Sequence, residues 1–96
     1  MSKSKLYGIE FDHMAFLEDA TGFSISENRK AVVERAYEML KEAGSTVGYR
    51  TVEKWLERKS FPLAAVISLY EIHALDGRDS LDLRDYVKGD LKWNTN

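Results

Sequence analysis

The chain has 96 residues, no cysteine, 44% hydrophobic and 31% charged residues, and a formal net charge of −2 at pH 7. A chain of this length holds one small domain, and the lack of cysteine excludes a disulfide framework, a thiolate zinc site and a cysteine nucleophile. The net charge excludes binding of nucleic acid by bulk positive charge, although residues 27–59 carry eight basic against six acidic side chains.

The sequence lacks motifs for membranes, metals and catalysis. No apolar run near the first residues suits a signal peptide, and the longest later run, residues 61–70, is too short for a membrane span. His13 and His73 lack metal-ligand spacing, and no phosphate-binding loop or GxSxG motif is present. We therefore expect a cytoplasmic protein that is not an enzyme and uses no metal, cofactor, membrane or small-molecule ligand.

The first predicted element is a helix over about residues 10–20. Tyr7, Ile9 and Phe11 alternate as the residues of a strand do, but apolar residues also recur at helical spacing up to residue 20. We prefer the helix, and Thr21-Gly22 would end it.

A second helix is predicted between Ser24 and Gly44. Ser24 and Glu27 have the spacing of a capping box, in which each side chain accepts a hydrogen bond from the backbone N–H of the other residue. Gly44 suits the left-handed residue that ends a helix. One apolar stripe runs along this segment and consists of Val32, Ala36, Met39, Leu40 and Ala43.

A short third helix, about residues 49–59, follows Gly48. Its apolar spacing turns Val52, Trp55 and Leu56 toward the core, and a buried anchor is the preferred role of the tryptophan.

A fourth helix begins after Pro62, because proline is tolerated in the first turn of a helix and not later. The apolar face of this helix is broad, which predicts burial on more than one side, either in the centre of the domain or at a dimer interface. Asp76-Gly77 would end it. The predicted main stripe is Leu63, Val66, Ile67, Tyr70 and Ala74, widened by Leu69 and Ile72.

A short last helix is predicted from Ser80 to Lys88. The fold class is therefore all-α, with about five short helices in one domain of residues 1–96. Residues 25–88 would form the core, residues 1–24 an N-terminal extension and residues 89–96 a tail.

Residues 47–62 resemble the recognition-helix half of helix-turn-helix proteins of the lambda-repressor/Cro-like class, which are phage and bacterial regulators. Val47 corresponds to the apolar turn residue of that family and Val52, five positions on, to its β-branched core residue. Trp55 corresponds to the residue that packs against the preceding helix. Lys59 and Pro62 match the basic loop and the proline that starts the next core helix.

Two positions depart from the family pattern. Thr46 stands where the family has a turn glycine, and Glu42 stands where the supporting helix has a small residue, usually alanine. The sequence leaves two alternatives open: a connection after Gly44 that is longer than the usual tight turn, or a different helical fold.

The resemblance implies sequence-specific binding of double-stranded DNA through the exposed face of the third helix. The side-chain chemistry suits this role, because Arg50 can donate to guanine O6 and N7, Glu53 can accept from cytosine N4, and Lys54 can contact guanine or phosphate. A glycine at position 48 would let the backbone approach the DNA closely. The predicted DNA-binding residues are Gly48, Tyr49, Arg50, Thr51, Glu53, Lys54, Arg58 and Lys59.

A solvated helix face is the alternative for the basic residues of this set. Glu53 and Glu57 have the spacing at which they can form ion pairs with Arg50, Lys54 or Arg58 along the helix.

The predicted function is that of a transcriptional regulator, a repressor that binds a palindromic operator as a homodimer. The apolar residues preferred for the dimer contact are Leu83, Tyr86, Val87 and Trp93, with the N-terminal aromatic residues as the second choice. The alternative function is a helical protein-interaction module, a phage-type inhibitor or adaptor that does not bind DNA. Its surface would be formed by Tyr7, Phe11, Phe16, Phe23 and Trp93.

Overall fold

The structure, a computed structural model, describes residues 10–76 and 81–88. In these residues it contains four α-helices, one 3-10 helix and two strands of two residues each, and none of the helices is long and apolar enough to cross a membrane. The prediction of an all-α fold is confirmed. The elements in chain order are β1 (Glu10–Phe11), α1 (His13–Thr21), α2 (Ile25–Glu42), α3 (Tyr49–Arg58), α4 (Leu63–Leu75), the 3-10 helix (Leu83–Tyr86) and β2 (Val87–Lys88).

The predicted start of α1 at residue 10 is wrong, because Phe11 belongs to a strand and pairs with Val87 in an antiparallel register. Asp12 then caps the helix, since its Oδ1 accepts a hydrogen bond from the Ala15 N–H at 3.0 Å. Gly22, with φ of 83°, ends α1 as predicted. Tyr7 and Ile9 lie outside the described residues.

Helix α2 begins directly after Ser24 as predicted, but the predicted capping box is not formed, because Ser24 makes no side-chain cap hydrogen bond. The carboxylate of Glu18 on α1 takes this role and accepts from the Ile25 N–H at 2.8 Å. Asn28 then interrupts the helix with φ of −152° and ψ of 70°, and its Oδ1 accepts from the Ala31 N–H at 3.2 Å. Asn28 is thus the cap of the long part of α2, since asparagine is among the best N-cap residues.

The end of α2 is as predicted and depends on glycine. Gly44 has φ of 92°, a region that other residues rarely adopt. The Ser45 N–H donates to the Leu40 carbonyl at 2.9 Å and the Gly44 N–H donates to the Lys41 carbonyl at 3.0 Å. These two bonds form a Schellman motif, which satisfies carbonyls that the helix end leaves without partners.

The core lies around α2, which contacts α1, α3 and α4. Helix α1 contributes Phe16 and Leu17, both almost fully buried, so this part of the predicted N-terminal extension belongs to the same core as residues 25–88. The other large buried side chains are Val32, Val33, Met39, Leu40, Val52, Leu56, Phe61, Val66, Leu69, Ile72 and Tyr86.

The face that α4 turns to the core is not the predicted one. The buried residues are Ala65, Val66, Leu69, Ile72 and His73. Two residues of the predicted stripe, Leu63 and Ile67, are 73% and 42% exposed. Helix α4 is apolar on nearly all sides, so its periodicity does not distinguish the two faces.

The predicted last helix is replaced by the 3-10 helix and β2, and Ser80 lies outside the described residues. The backbone of the 3-10 helix is held by a residue from the other end of the chain, because the Asp12 N–H donates to the Tyr86 carbonyl at 2.6 Å. The Tyr86 hydroxyl donates to Asp19 Oδ2 at 2.6 Å. Burial, together with the adjacent Asp19 carboxylate, raises the pKa of Tyr86. This tyrosine is buried in its own chain, which contradicts its assignment to a dimer contact.

Candidate nucleic-acid interface

Helix α3 is fixed to the domain by one side only. Val52 and Leu56 are buried against the core, as predicted. Trp55 is half-buried and lies beside Phe61, with 5.4 Å between the ring centroids, so it is an anchor at the edge of the core rather than in its centre. On the opposite side of α3, the side chains of Arg50, Lys54 and Arg58 are exposed.

The connection between α2 and α3 runs over residues 43–48. A helix-turn-helix joins its two helices by three to four residues, so the connection here is longer than the usual tight turn. A connection of this length fits either alternative that Thr46 and Glu42 left open, a helix-turn-helix with a longer link or a different helical fold.

Most of the predicted DNA-binding residues share the free side of α3 and its two ends. Tyr49 and Glu53 are half-buried. The exposed members of the predicted set are Gly48, Arg50, Thr51, Lys54, Arg58 and Lys59.

The basic side chains on α3 make no ion pairs with any residue of 10–76 or 81–88. In the part of the chain that the structure describes, no carboxylate oxygen lies within 4.0 Å of the charged atoms of Arg50, Lys54 or Arg58. The pairing with Glu53 and Glu57 that a solvated helix face predicts is therefore not formed.

The basic and the acidic residues of α3 each form a row with a spacing of four residues. Residues four apart are neighbours on a helix surface, and here Arg50, Lys54 and Arg58 form one such row while Glu53 and Glu57 form another. Like charges at this spacing destabilise a helix by a few tenths of a kcal/mol per pair. The cation row thus has an electrostatic cost that an anionic ligand would relieve. The sequence contains this signal, and the sequence analysis missed it.

Gly48 has no role in the fold that requires glycine. Its φ of −85° and ψ of 163° are extended values that most residues adopt, and a Cβ built there meets no atom within 4 Å. It precedes α3 without a side-chain cap, so the first backbone N–H groups of the helix have no side-chain acceptor from the cap position. The site therefore combines a small residue with a helix N-terminus, where backbone N–H groups favour an anion.

Tyr49 is held by α2 and not only by α3. Its ring lies edge-on to Tyr37, with 5.7 Å between centroids. Burial raises the pKa of Tyr49, and the charges of Glu34 and Glu53 add to the effect. The hydroxyl thus keeps its proton at neutral pH and is a hydrogen-bond donor.

Lys59 ends α3 in a left-handed conformation, with φ of 58°, where glycine is the preferred residue. A side chain in this conformation costs roughly 1–2 kcal/mol relative to a right-handed one. A lysine at this position places an exposed cation next to Arg58 at the end of the basic row. Sequence reasoning placed Lys59 in the loop and had no signal for its backbone conformation.

The surface of the alternative interaction module is not assembled as predicted. Phe16 is 2% exposed and Phe11 is half-buried, whereas Phe23 is 43% exposed. Tyr7 and Trp93 lie outside the described residues. In the described ranges, no group of three or more histidine or acidic residues is placed to hold a metal ion.

No protein-family model, curated protein or solved structure matches this chain. The resemblance to the lambda-repressor/Cro-like class therefore stays a prediction based on residues 47–62.

Proposed function

We propose that this protein is a sequence-specific DNA-binding regulator that inserts α3 into the major groove. It acts in the cytoplasm as a homodimer on a palindromic operator and represses transcription by occupying the promoter. The observation that carries the proposal is the row Arg50, Lys54 and Arg58, three exposed cations on the free side of a helix with no carboxylate partner among the described residues.

The dimensions of α3 suit the major groove. Helix α3, with its 10 residues, is about 15 Å long. The major groove of B-DNA is about 12 Å wide, which is wide enough to admit one α-helix. Arg50, near the N-terminus of α3, donates bidentately to guanine O6 and N7. Lys54, one turn later, contacts a guanine or a phosphate, and Arg58 and Lys59 contact the sugar-phosphate backbone.

The acidic row on α3 adds selectivity. Glu53 accepts a hydrogen bond from cytosine N4, whereas near a phosphate or a guanine edge its charge is repulsive. A site that both attracts the correct base and repels others discriminates better than attraction alone. Because the whole chain has a net charge of −2, correct docking of this face and not long-range attraction provides the affinity.

The proposal is tested by selecting bound sequences from a random pool of double-stranded DNA with the full chain. We expect enrichment of a two-fold symmetric site. Arg50→Ala should cost about 1–3 kcal/mol of binding free energy and relax the preference at one base pair. Arg29→Ala, which removes an exposed arginine from α2, is the matched control and should leave the preference unchanged. A pool without enrichment, together with no retention on heparin at low salt, would contradict the proposed function.

A further inference from the structure

Helix α4 has a second apolar face that residues 10–76 and 81–88 leave partly exposed. Its 13 residues include one acidic side chain, Glu71, and no lysine or arginine, in a protein of which 31% of the residues are charged. The inner face is buried against α2 and α1. We define the outer row of α4 as Leu63, Ile67, Tyr70 and Ala74.

The outer row is exposed to water at one end of the helix. Leu63 is 73% exposed and Ile67 is 42% exposed, and Tyr70 and Ala74 are half-buried. A helix that is apolar on all sides is normally covered on all sides, because each exposed aliphatic side chain loses the free energy of burial. Among the described residues, the outer row is therefore the part of α4 that lacks a full cover.

An apolar cavity of about 380 Å³ continues the outer row. Leu63 belongs to both, and the far wall of the cavity is formed by Phe11 and Leu83. The row supplies projecting aliphatic side chains, and the cavity beside it supplies a recess of a size that accepts them. A surface with both features on one face is self-complementary, as an isologous contact between two copies requires.

The charge of this face favours a second copy of the chain over other occupants. DNA requires cations, and the outer row contains none. A second copy has the same nearly uncharged row and brings one acidic side chain, Glu71, near the contact. A standard interface removes about 800 Å² per partner, about one eighth of the accessible surface of 6235 Å² of this chain. Helix α4 is about 20 Å long, so such an interface would extend beyond the outer row to the adjoining cavity and its neighbours.

We propose that the outer row of α4 and the cavity beside it form the homodimer interface, across a two-fold axis that relates α4 to α4 of a second copy. The inference deepens the proposed function and rests on it only for the need to engage two half-sites. The principal extents of the chain are 41, 31 and 27 Å, so the centres of two adjacent copies lie roughly 30–40 Å apart. This range includes the separation of about 34 Å between successive major grooves on one side of DNA.

The test is sedimentation equilibrium of three full-length chains without DNA: the unsubstituted chain, Leu63→Asn/Ile67→Asn, and Phe23→Asn. Phe23 is the matched control, because it is 43% exposed, close to the 42% of Ile67, but lies between α1 and α2. We expect the double variant to raise the dissociation constant of the dimer at least about tenfold, because central aliphatic contacts dominate such interfaces. Far-UV circular dichroism should show an unchanged helical content, since these side chains are outside the core.

A cross-linking experiment gives a positive signal from the same contact. The chain has no cysteine, so Ile67→Cys introduces a single thiol, and a short bis-maleimide should join two copies through it. Phe23→Cys should give little cross-linked product under the same conditions. An unsubstituted chain that stays monomeric at high micromolar concentration, or a double variant that dimerises as tightly as Phe23→Asn, would overturn the inference. A dimer that loses its contact in the double variant but binds no DNA supports this interface and contradicts the proposed function.

Discussion

Helices α2 and α3 carry similar numbers of charges for their length but use them differently. On α2, Lys30 lies 4.0 Å from Glu34, and Arg35 lies 3.7 Å from Glu38 and 2.9 Å from Asp76, the residue that follows α4. On α3, the basic residues have no such partner among the described residues. Both helices carry opposite charges at helical spacing, so the difference lies in where the side chains are placed and not in the order of charges along the helix.

With the proposed function, the comparison distinguishes a face that serves the fold from a face that serves a ligand. Ion pairs such as that of Arg35 connect one helix to another and contribute to stability. The cations of α3 have no ion pair among the described residues, and the proposed function gives them an anionic partner. Variants that change the same residue types on the two helices should therefore affect different measurements.

The largest effect is expected when the basic row itself is removed. Replacing Arg50, Lys54 and Arg58 by glutamine should weaken DNA binding by about 100-fold or more, because base and phosphate contacts are lost together. The matched variant replaces Arg29, Lys30 and Lys41 of α2 by glutamine. Each variant lowers the formal net charge from −2 to −5, so a difference between them reports position and not charge. Fluorescence anisotropy with the selected DNA measures both, and equal losses would remove the distinction between the two helices.

The two glycines of the α2–α3 connection should differ in what a threonine does to the free energy of unfolding. Gly44→Thr should lower the free energy of unfolding by about 1–2 kcal/mol, because φ of 92° is unfavourable for a side chain. Gly48→Thr should change it by no more than a few tenths of a kcal/mol, since threonine suits an extended N-cap position. Urea denaturation measures both free energies.

The same Gly48→Thr variant should bind DNA more weakly, because the added side chain hinders the close approach of the backbone. Normal DNA affinity of this variant would refute a role for Gly48 at the interface.

The ion pair between Arg35 and Asp76 should matter for stability and not for DNA binding. Its side chains are 29% and 36% exposed, so the coupling should be about 1 kcal/mol, at the upper end for a surface pair. A double-mutant cycle with Arg35→Gln and Asp76→Asn measures this coupling free energy. If the DNA affinity of either single variant falls as far as that of Arg50→Ala, α2 also belongs to the interface.

Lys59 should show a trade between stability and binding. Lys59→Gly should raise the free energy of unfolding by up to about 1 kcal/mol, because glycine adopts φ of 58° without strain. The same variant should weaken DNA binding for all sequences and reduce the salt dependence by about one phosphate contact. A Lys59→Gly variant that is stabilised but binds DNA with unchanged salt dependence would contradict the phosphate contact.

The smallest expected effect concerns pH. Burial lowers the pKa of His13 below 6.5, and the adjacent Asp12 charge opposes this shift only in part. The unfolded chain therefore takes up the proton first, and the contribution of His13 to stability falls as the pH drops below about 6.5. His13→Gln should flatten this part of the stability curve relative to the unsubstituted chain.

The sequence alone predicted the elements in which the spacing of apolar residues agrees with the residues that begin and end a helix. Helix α3, its buried residues Val52 and Leu56, and the left-handed end of α2 at Gly44 are strongly marked, since apolar spacing and glycine chemistry act locally. The exposed basic residues of α3 were predicted for the same reason: once the inner side of a helix is known, the outer side is known as well.

Other features depend on contacts between distant parts of the chain. The pairing of Phe11 with Val87 overrides the helical pattern at both ends, and Glu18 replaces the predicted capping serine from another helix. Which side of α4 is buried was decided by packing against α1 and α2, because burial of either apolar side yields a similar free energy until the neighbouring helices determine the fit.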